Sequence, residues 1–382
     1  MTDAKRRLDL CRRELLFLLA GGAGAFTAPE ILLADDLDRR VTQIVTENIA
    51  VDLHNHVPNA FVQDAQADSK KDPEVALASE MKRAGFAALC YTYPVDRYTH
   101  LKPGEYYQLH LQALDQTDRL LAQQKMRRAF TWKDLQTAHA HGHPIIIQTC
   151  EGAQFLEGHL DRVAEAYRRG LRLMQLVHHA NDLVSPLGDI QTRPPNEFGG
   201  LTPFGAQVVK ECNRLHLLMD LAHAAFPMVK GVLDTTTQPI IISHTALDTP
   251  LGRAGKPESL QQRLVTREHA RAVVDAGGIV GVWQNFRTLG EFVTGVKEMA
   301  DVVGVDHIGI GTDTAISAPP AAGEERPTNG VWPDRQPPRY NGFVYVIVDE
   351  MLRQGFTAAE IGRIVGGNFC RVFGKVMERQ GC

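Results

Sequence analysis

The chain has 382 residues, with 41 Lys and Arg against 45 Asp and Glu and a net charge of −4. That near balance, with no Lys/Arg run and no interleaving of basic and aromatic residues, excludes the electrostatic footprint of a nucleic-acid-binding protein. The length suits one large α/β domain or two smaller ones; a (β/α)8 barrel takes roughly 250 residues and would leave room for loop insertions.

In chain order, the first feature is a leader-like segment. Lys5, Arg6, Arg7, Arg12 and Arg13 precede LLFLLAGGAGAF, and ILLA then ends on Ala34 before Asp35 and Asp36. This is a signal-peptide layout, and Arg12-Arg13-Glu14-Leu15-Leu16 resembles a twin-arginine leader, which exports folded proteins. The expected organisation is a leader over 1–34, cleaved near Ala34, and a single domain over 35–382 destined for the periplasm. Pro29 and Glu30 interrupt the apolar run, which falls short of the roughly 20 apolar residues a membrane span needs. No other segment is apolar enough to cross a bilayer.

Beyond residue 45 two periods alternate. Strands are expected over 49–55, 87–93, 144–150, 171–177, 216–222, 239–243, 278–284 and 307–312. They read as near-continuous apolar runs, the signature of strands covered on both faces. Helical patterns lie between them: Pro73 to Ala84, Glu105 to Gln124, His159 to Arg169, Thr202 to Leu215, Thr266 to Ala276 and Leu289 to Val303. Thr202 reads as an N-cap with Pro203 in the first turn. Eight strands with intervening helices make an α/β fold, a (β/α)8 TIM-type barrel, the economical choice. An open doubly wound sheet is the alternative, weakened because no GxGxxG follows the first strand. Long loops over 180–200, 246–265 and 314–340 each follow a strand and would cover the catalytic rim of a barrel. The segment from Asn341 to Arg371 reads as two extra C-terminal helices.

The strands end on residues that handle metals or protons. VDLHNH carries His54 and His56, IIIQTCEG carries Glu151, and LMQLVHH carries His178. LLMDLAH, IIISH and IGIGTD end on His223, His244 and Asp313. A divalent ion needs several such groups at one point, and the common rim of a parallel barrel supplies that convergence. His54 and His56, two apart on one strand, share a face and form a chelating pair. Glu151 can bridge two cations through its two oxygens, and a carboxylate placed there would be costly to desolvate without them. Asp313 can accept a proton from an attacking water and pass it to a leaving amine. His178 has the better register of the adjacent pair His178 and His179, of which only one is expected to face the centre; its expected task is a hydrogen bond to the developing oxyanion. His307 and the group His139, His141 and His143 precede strands and read as structural. The six cysteines show no CxxC spacing; Cys90, Cys150 and Cys212 read as buried thiols, and a bridge to Cys382 stays open for an exported protein.

These residues resemble the membrane (renal-type) dipeptidases, zinc peptidases of the amidohydrolase-like barrel class. The resemblance runs from about Val51 to Phe373 and rests on VDLHNH, the Glu151-Gly152 turn, RLMQLVHHAN, GLTPFGAQVVKECNRLHLLMDLAH, PIIISHT, VDHIGIGTD and GGNFCRVF. It implies two divalent metal ions, zinc, with His54 and His56 on one, His223 and His244 on the other, and Glu151 between them. It further implies a substrate-contacting role for His178, the acid/base role for Asp313, and an Arg263 that receives the substrate's terminal carboxylate. Family members are commonly dimers, which implies a homodimer here. Two departures stand out. The family shows His-x-Asp on the first strand where this chain has His54-Asn55-His56, so the first metal would see one negative charge fewer. After Asp313 the chain reads Thr314-Ala315-Ile316 in place of the family's Phe-Asp-Gly.

The expected function is therefore a binuclear zinc hydrolase in which metal-bound hydroxide cleaves the amide bond of a dipeptide or similar small amide. Two alternatives stay open. The same site could act on an N-acyl amino acid, a lactone or a cyclic amide. An exported metal-binding or maturation protein without turnover is the other.

Overall fold

The structure is a computed structural model that describes residues 27–56, 76–94, 101–179, 184–192, 197–314 and 342–378. Helix α1, Thr27–Glu47, carries the chain out of a first unit, Met1–Gln43, into a second, Ile44–Cys382. Most of the expected leader lies outside the described residues, and Thr27 to Ala34 belong to this helix. Among the described residues no helix is long and apolar enough to cross a membrane.

The second unit is a closed barrel of eight parallel strands in sequential order. They are β1 Val51–His56, β2 Ala88–Pro94, β3 Ile145–Glu151, β4 Leu171–Gln175, β5 Leu218–Asp220, β6 Ile241–Thr245, β7 Ile279–Val282 and β8 Ile308–Ile310. All eight expected strands are present. β2 and β3 pair without a break from Ala88 and Ile145 to Pro94 and Glu151, and both are buried along their whole length. That burial is why they read as unbroken apolar runs rather than as alternating ones. The circle closes where Asp52 of β1 pairs with Ile310 of β8.

Several of the helices between strands are capped by threonine. α2 is Leu77–Ala84, α3 Glu105–Gln124, α4 Trp132–Ala140 and α5 Asp161–Arg168; α6, Pro203–Leu215, follows β4. Thr202 caps α6 by accepting a hydrogen bond from the amide of Gly205, and Thr131 forms a capping box with Asp134 at α4. Each such oxygen satisfies one of the amides a helix start leaves unpaired. α7, Phe226–Thr235, follows β5, and α8 Pro250–Arg253, α9 Glu258–Gln261 and α10 Arg267–Asp275 lie between β6 and β7. α11 is Leu289–Val303, the expected span.

Three differences from the expected elements have physical reasons. α4 buries only Leu135, so it has almost no apolar stripe to detect; α7 carries Pro227 in its first turn. The C-terminal pair of helices is α12 Phe343–Arg353 and α14 Asn368–Met377, joined through α13 Ala358–Gly362 and a π-helical turn at Arg363–Gly367. Gly366 in that turn lies so close to β1 that a Cβ would stand 1.9 Å from the carbonyl oxygen of Ile49. α14 thereby packs Phe369, Val372 and Phe373 into one core with Val51, Leu53, Ile145, Ile147, Leu218 and Ile279. The loop over 246–265 is an excursion rather than an open lid: Val265 returns to donate to the Ala246 carbonyl, and Asp248 donates to Val265. Of the other long loops, 180–183, 193–196 and 315–341 lie outside the described residues.

Candidate active site

The C-terminal ends of the strands bring the expected residues to one place. Glu151, the last residue of β3 and buried, is at the centre. Its Oε1 is 3.5 Å from His54 Nε2, 3.3 Å from His178 Nε2, 3.6 Å from His223 Nε2 and 3.8 Å from His244 Nε2, while Oε2 is 3.7 Å from His56 Nε2. Asp313 Oδ1 stands 3.0 Å from His56 Nε2 and 3.9 Å from His54 Nε2. Four overlapping groups able to hold a cation result among the described residues: His54, His56, Glu151 and Asp313; Glu151, His223 and His244; His54, Asp220 and His244; and His178, His179 and His223. The first two are centred on Glu151.

Irregular backbone aims these side chains. The pairing of β1 with β2 shifts register between Asp52 and Asn55, and that of β6 with β7 shifts between Ile242 and Thr245. His54 and His244 lie inside those shifts, where a bulge can redirect a side chain. His223 and Asp313 adopt left-handed conformations, with φ of 68° and 55°. A non-glycine residue there is strained by about 1 kcal/mol or more, and neighbouring segments hold it: the Gln191 amide donates to the His223 carbonyl at 2.8 Å, and the Asp313 amide to the His54 carbonyl at 3.0 Å. Buried carboxylates brace the rim from below. Asp52 accepts from the Thr312 amide and hydroxyl and from Asn55. Asp220 accepts from the amides of Ala222 and Ser243. Burial pushes both carboxyls up.

Electrostatics divide the imidazoles. Burial lowers His54, but Glu151, Asp313 and Asp220 outweigh it and raise the ring to about 9. Burial and His54 bring His244 down to about 3, and burial with His178 and His244 holds His223 well below its usual range. Burial raises Glu151 and Asp313, yet the surrounding histidines dominate and keep both carboxyls low. The chemistry of the donor set fits divalent ions. His54 Nε2 and Glu151 Oε2 are buried without a hydrogen-bond partner, and His223 Nε2 and His244 Nε2 face each other at 2.9 Å. Leaving a buried polar group unmet costs about 1–3 kcal/mol or more, a penalty that a cation between these atoms removes. Ser243 Oγ lies 2.8 Å from His244 Nδ1, the kind of outer contact that orients a ligating ring. The serine of IIISH was not singled out from the sequence, although its position one residue before the histidine is the signal that could have found it.

Two placements sharpen the sequence expectations. β4 ends at Gln175, so His178 and His179 are on irregular backbone and strict alternation no longer applies. Their ring centroids lie 3.7 Å apart at a tilt of 41°, and both meet the His223 ring edge-on, at 4.7 and 5.5 Å; His178 reaches Glu151, and His179 stands beside His178 and His223. Arg263 is also at the rim. Its carbonyl accepts from Thr245 Oγ1, next to His244, and its Nη2 is 2.9 Å from His179 Nε2. Among the described residues His139, His141 and His143 join no such group and stand before β3 at the other end of the barrel.

Glu151 thus joins imidazoles from four segments at the C-terminal rim of a closed parallel barrel. Solved structures agree on the fold: an amidohydrolase from Pseudomonas aeruginosa, with TM-score 0.69 and 19% identity, covers 88% of this chain and 99% of its own. A metallopeptidase from Rhodobacter sphaeroides, liganded with a phosphinate mimic of the dipeptide L-Ala-D-Ala, has TM-score 0.64 and 17% identity over 86% of this chain and 99% of its own. The profile of the membrane dipeptidases, peptidase family M19, matches residues 38–380, and the chain belongs to that family. Dipeptidase 3 of Rattus norvegicus is 28% identical over 239 residues, which are 59% of this chain and 44% of the relative; the chain thus matches less than half the length of that relative.

Proposed function

We propose that this chain is a metal-dependent dipeptidase that cleaves the amide bond of dipeptides or similar small amides. The observation that carries the reading is the pair of ligand groups sharing Glu151. His54, His56, Asp313 and Glu151 would hold one divalent ion, and His223, His244 and Glu151 a second, zinc being the metal these nitrogen and oxygen donors suit. Two such ions supply Lewis acidity and bring the pKa of water toward about 7.

The chain's own residues perform the rest. Asp313, partly exposed and kept ionised by His244, His56 and His54, takes the proton of the attacking water and delivers it to the departing amine. His178 directs Nε2 toward Glu151 and is placed to donate to the oxygen of the carbonyl under attack. Arg263 presents its guanidinium fork from the edge of the rim to the substrate's carboxylate. The left-handed turns at His223 and Asp313 keep the ligands and the proton carrier in place before substrate arrives, so little reorganisation remains at the moment of reaction. We further propose export through the twin-arginine-like leader, and a homodimer.

The test is expression of the full chain, elemental analysis, and hydrolysis across a panel of dipeptides, N-acyl amino acids and lactones. Two divalent ions per chain with dipeptide turnover are expected. Asp313→Asn should lower kcat by roughly 10²–10⁴-fold; an unchanged rate with metal retained would remove Asp313 from the acid/base role.

A further inference from the structure

The ring of His179 links the Arg263 guanidinium to the ligand cluster. Arg263 Nη2 lies 2.9 Å from His179 Nε2 and 3.5 Å from Nδ1. The guanidinium has only donors, so the imidazole nitrogen must be the acceptor. His179 also lies against His178, tilted by 41° with centroids 3.7 Å apart, and meets His223 edge-on. Neither of those rings is loose: His178 is 3.3 Å from Glu151, and His223 is 2.9 Å from His244. The backbone of Arg263 is pinned independently, since its carbonyl takes the Thr245 hydroxyl and its amide donates to Leu260. A long side chain with a fixed root and one fixed contact near its tip loses most of its rotamer freedom before any ligand arrives. Arg263 Nε is meanwhile buried and lacks a hydrogen-bond partner, so the fork has donor capacity left for an anion.

We propose that His179 is a positioning residue that holds the Arg263 guanidinium against the ligand cluster and so selects substrates with a free carboxylate close to the scissile bond. The inference rests on the dipeptidase reading for its reaction, and on the Arg263–His179–His178 geometry for its specificity. One imidazole, 3.7 Å from the His178 ring, stands between the guanidinium and His178, so the anion it receives must lie near the carbonyl under attack. An α-carboxylate on the leaving residue meets that requirement; an internal peptide bond, followed by further neutral residues, does not. His179 itself need not touch the substrate. Its task is to make a flexible cation behave as a preorganised one, which is where the gain in affinity arises.

The experiment uses the full, metal-loaded chain. Calorimetry gives dissociation constants for a phosphinate dipeptide mimic and for its C-terminal carboxamide, with KM and kcat for a dipeptide and its amide measured alongside. Wild type should bind the acid at least about 10-fold tighter than the amide, as a charge-assisted pair predicts. His179→Ala should erase most of that preference, raising KM for the acid while kcat and metal content hold. His179→Asn, which restores an acceptor, should recover part of it. Arg263→Gln should lose the preference as well, and the double variant should be no worse than Arg263→Gln alone, because the two residues act as one unit. Equal weakening of acid and amide, additive losses, or metal loss in His179→Ala would overturn the proposal. Should His179→Ala fail to fold, Arg263→Lys decides: it keeps the charge but not the fork, and unaltered discrimination would refute the positioned fork. A protein that hydrolyses no dipeptide yet keeps a His179-dependent preference for the acid would defeat the dipeptidase reading and sustain this one. Dipeptide turnover without such a preference would do the reverse.

Discussion

Histidines gather at both ends of this barrel, and among the described residues only one end brings them into candidate ligand groups. Before β3, His139, His141 and His143 alternate along five residues; His141 and His143 are exposed, and His141 turns its Nδ1 to the Thr137 carbonyl of its own helix. At the opposite rim, His54, His178, His223 and His244 come from four different segments and are buried around Glu151. The histidines of the first end are the closer together in sequence; convergence and desolvation are found at the second. A ligand set needs several lone pairs aimed at one point and a setting where leaving them unmet is costly. A short run of sequence supplies neither, whereas eight strand ends sharing a rim supply both.

The sharpest way to break this contrast is to remove the residue on which the rim converges. Glu151→Gln keeps the shape and the buried amide but takes away the charge that both ligand groups share. Replacing even an outer contact of a metal site costs about 10–100-fold in affinity, so loss of the common carboxylate should exceed that for both ions. Elemental analysis after dialysis should find one ion or none per chain, and dipeptide hydrolysis should vanish. Two ions retained by Glu151→Gln would mean that the groups do not depend on their shared member.

How much of this was legible in advance follows from what each feature depends on. The barrel was, because buried parallel strands write themselves as apolar runs and Thr202 marks a helix start by its capping chemistry. The residues at the rim were, because each ends such a run. Their directions were not. The register shifts around His54 and His244 and the left-handed turns at His223 and Asp313 depend on neighbours distant in sequence. His179 was read as facing away because alternation was extended past Gln175, where β4 has already ended. Asp313 was read as a proton carrier alone, yet its 3.0 Å approach to His56 also places it among the candidate ligands.

Burial without convergence gives a third case and a smaller effect. His269 on α10 is 3% exposed, packs on Phe226, and has an Nε2 with no hydrogen-bond partner. Burial alone lowers its pKa to about 4. The folded value is thus below the unfolded one of roughly 6.5, so the unfolded chain takes up the proton first as pH falls. The stability associated with neutral His269 is complete above about pH 6.5 and declines between there and pH 4, by on the order of 1–2 kcal/mol at pH 5. His110, stacked on Phe155 and lowered to about 3 mainly by burial, contributes in the same direction. Denaturant midpoints of the metal-loaded protein should fall on acidification from pH 7 to pH 5. His269→Phe should fall less steeply than wild type, and parallel slopes would show that His269 does not carry this linkage.

The smallest effect is expected at the end where the histidines are neighbours only in sequence. Replacing His139, His141 and His143 together by alanine removes three potential ligands but leaves every buried contact of the rim in place. Alanine favours the C-terminal turn of α4, and an exposed substitution of this kind stays within about 0.5 kcal/mol of neutral. The triple variant should bind the same number of ions with the same affinity as wild type, hydrolyse the same substrates, and unfold within about 2–4 °C of it. A chelator titration is the stringent readout, because a weak surface site at these histidines would show as an extra, easily stripped ion in the wild type that the variant lacks. Its presence would mean that exposed imidazoles spaced by two can assemble a ligand set without desolvation, and the distinction between the two ends of the barrel would then be one of affinity rather than of kind.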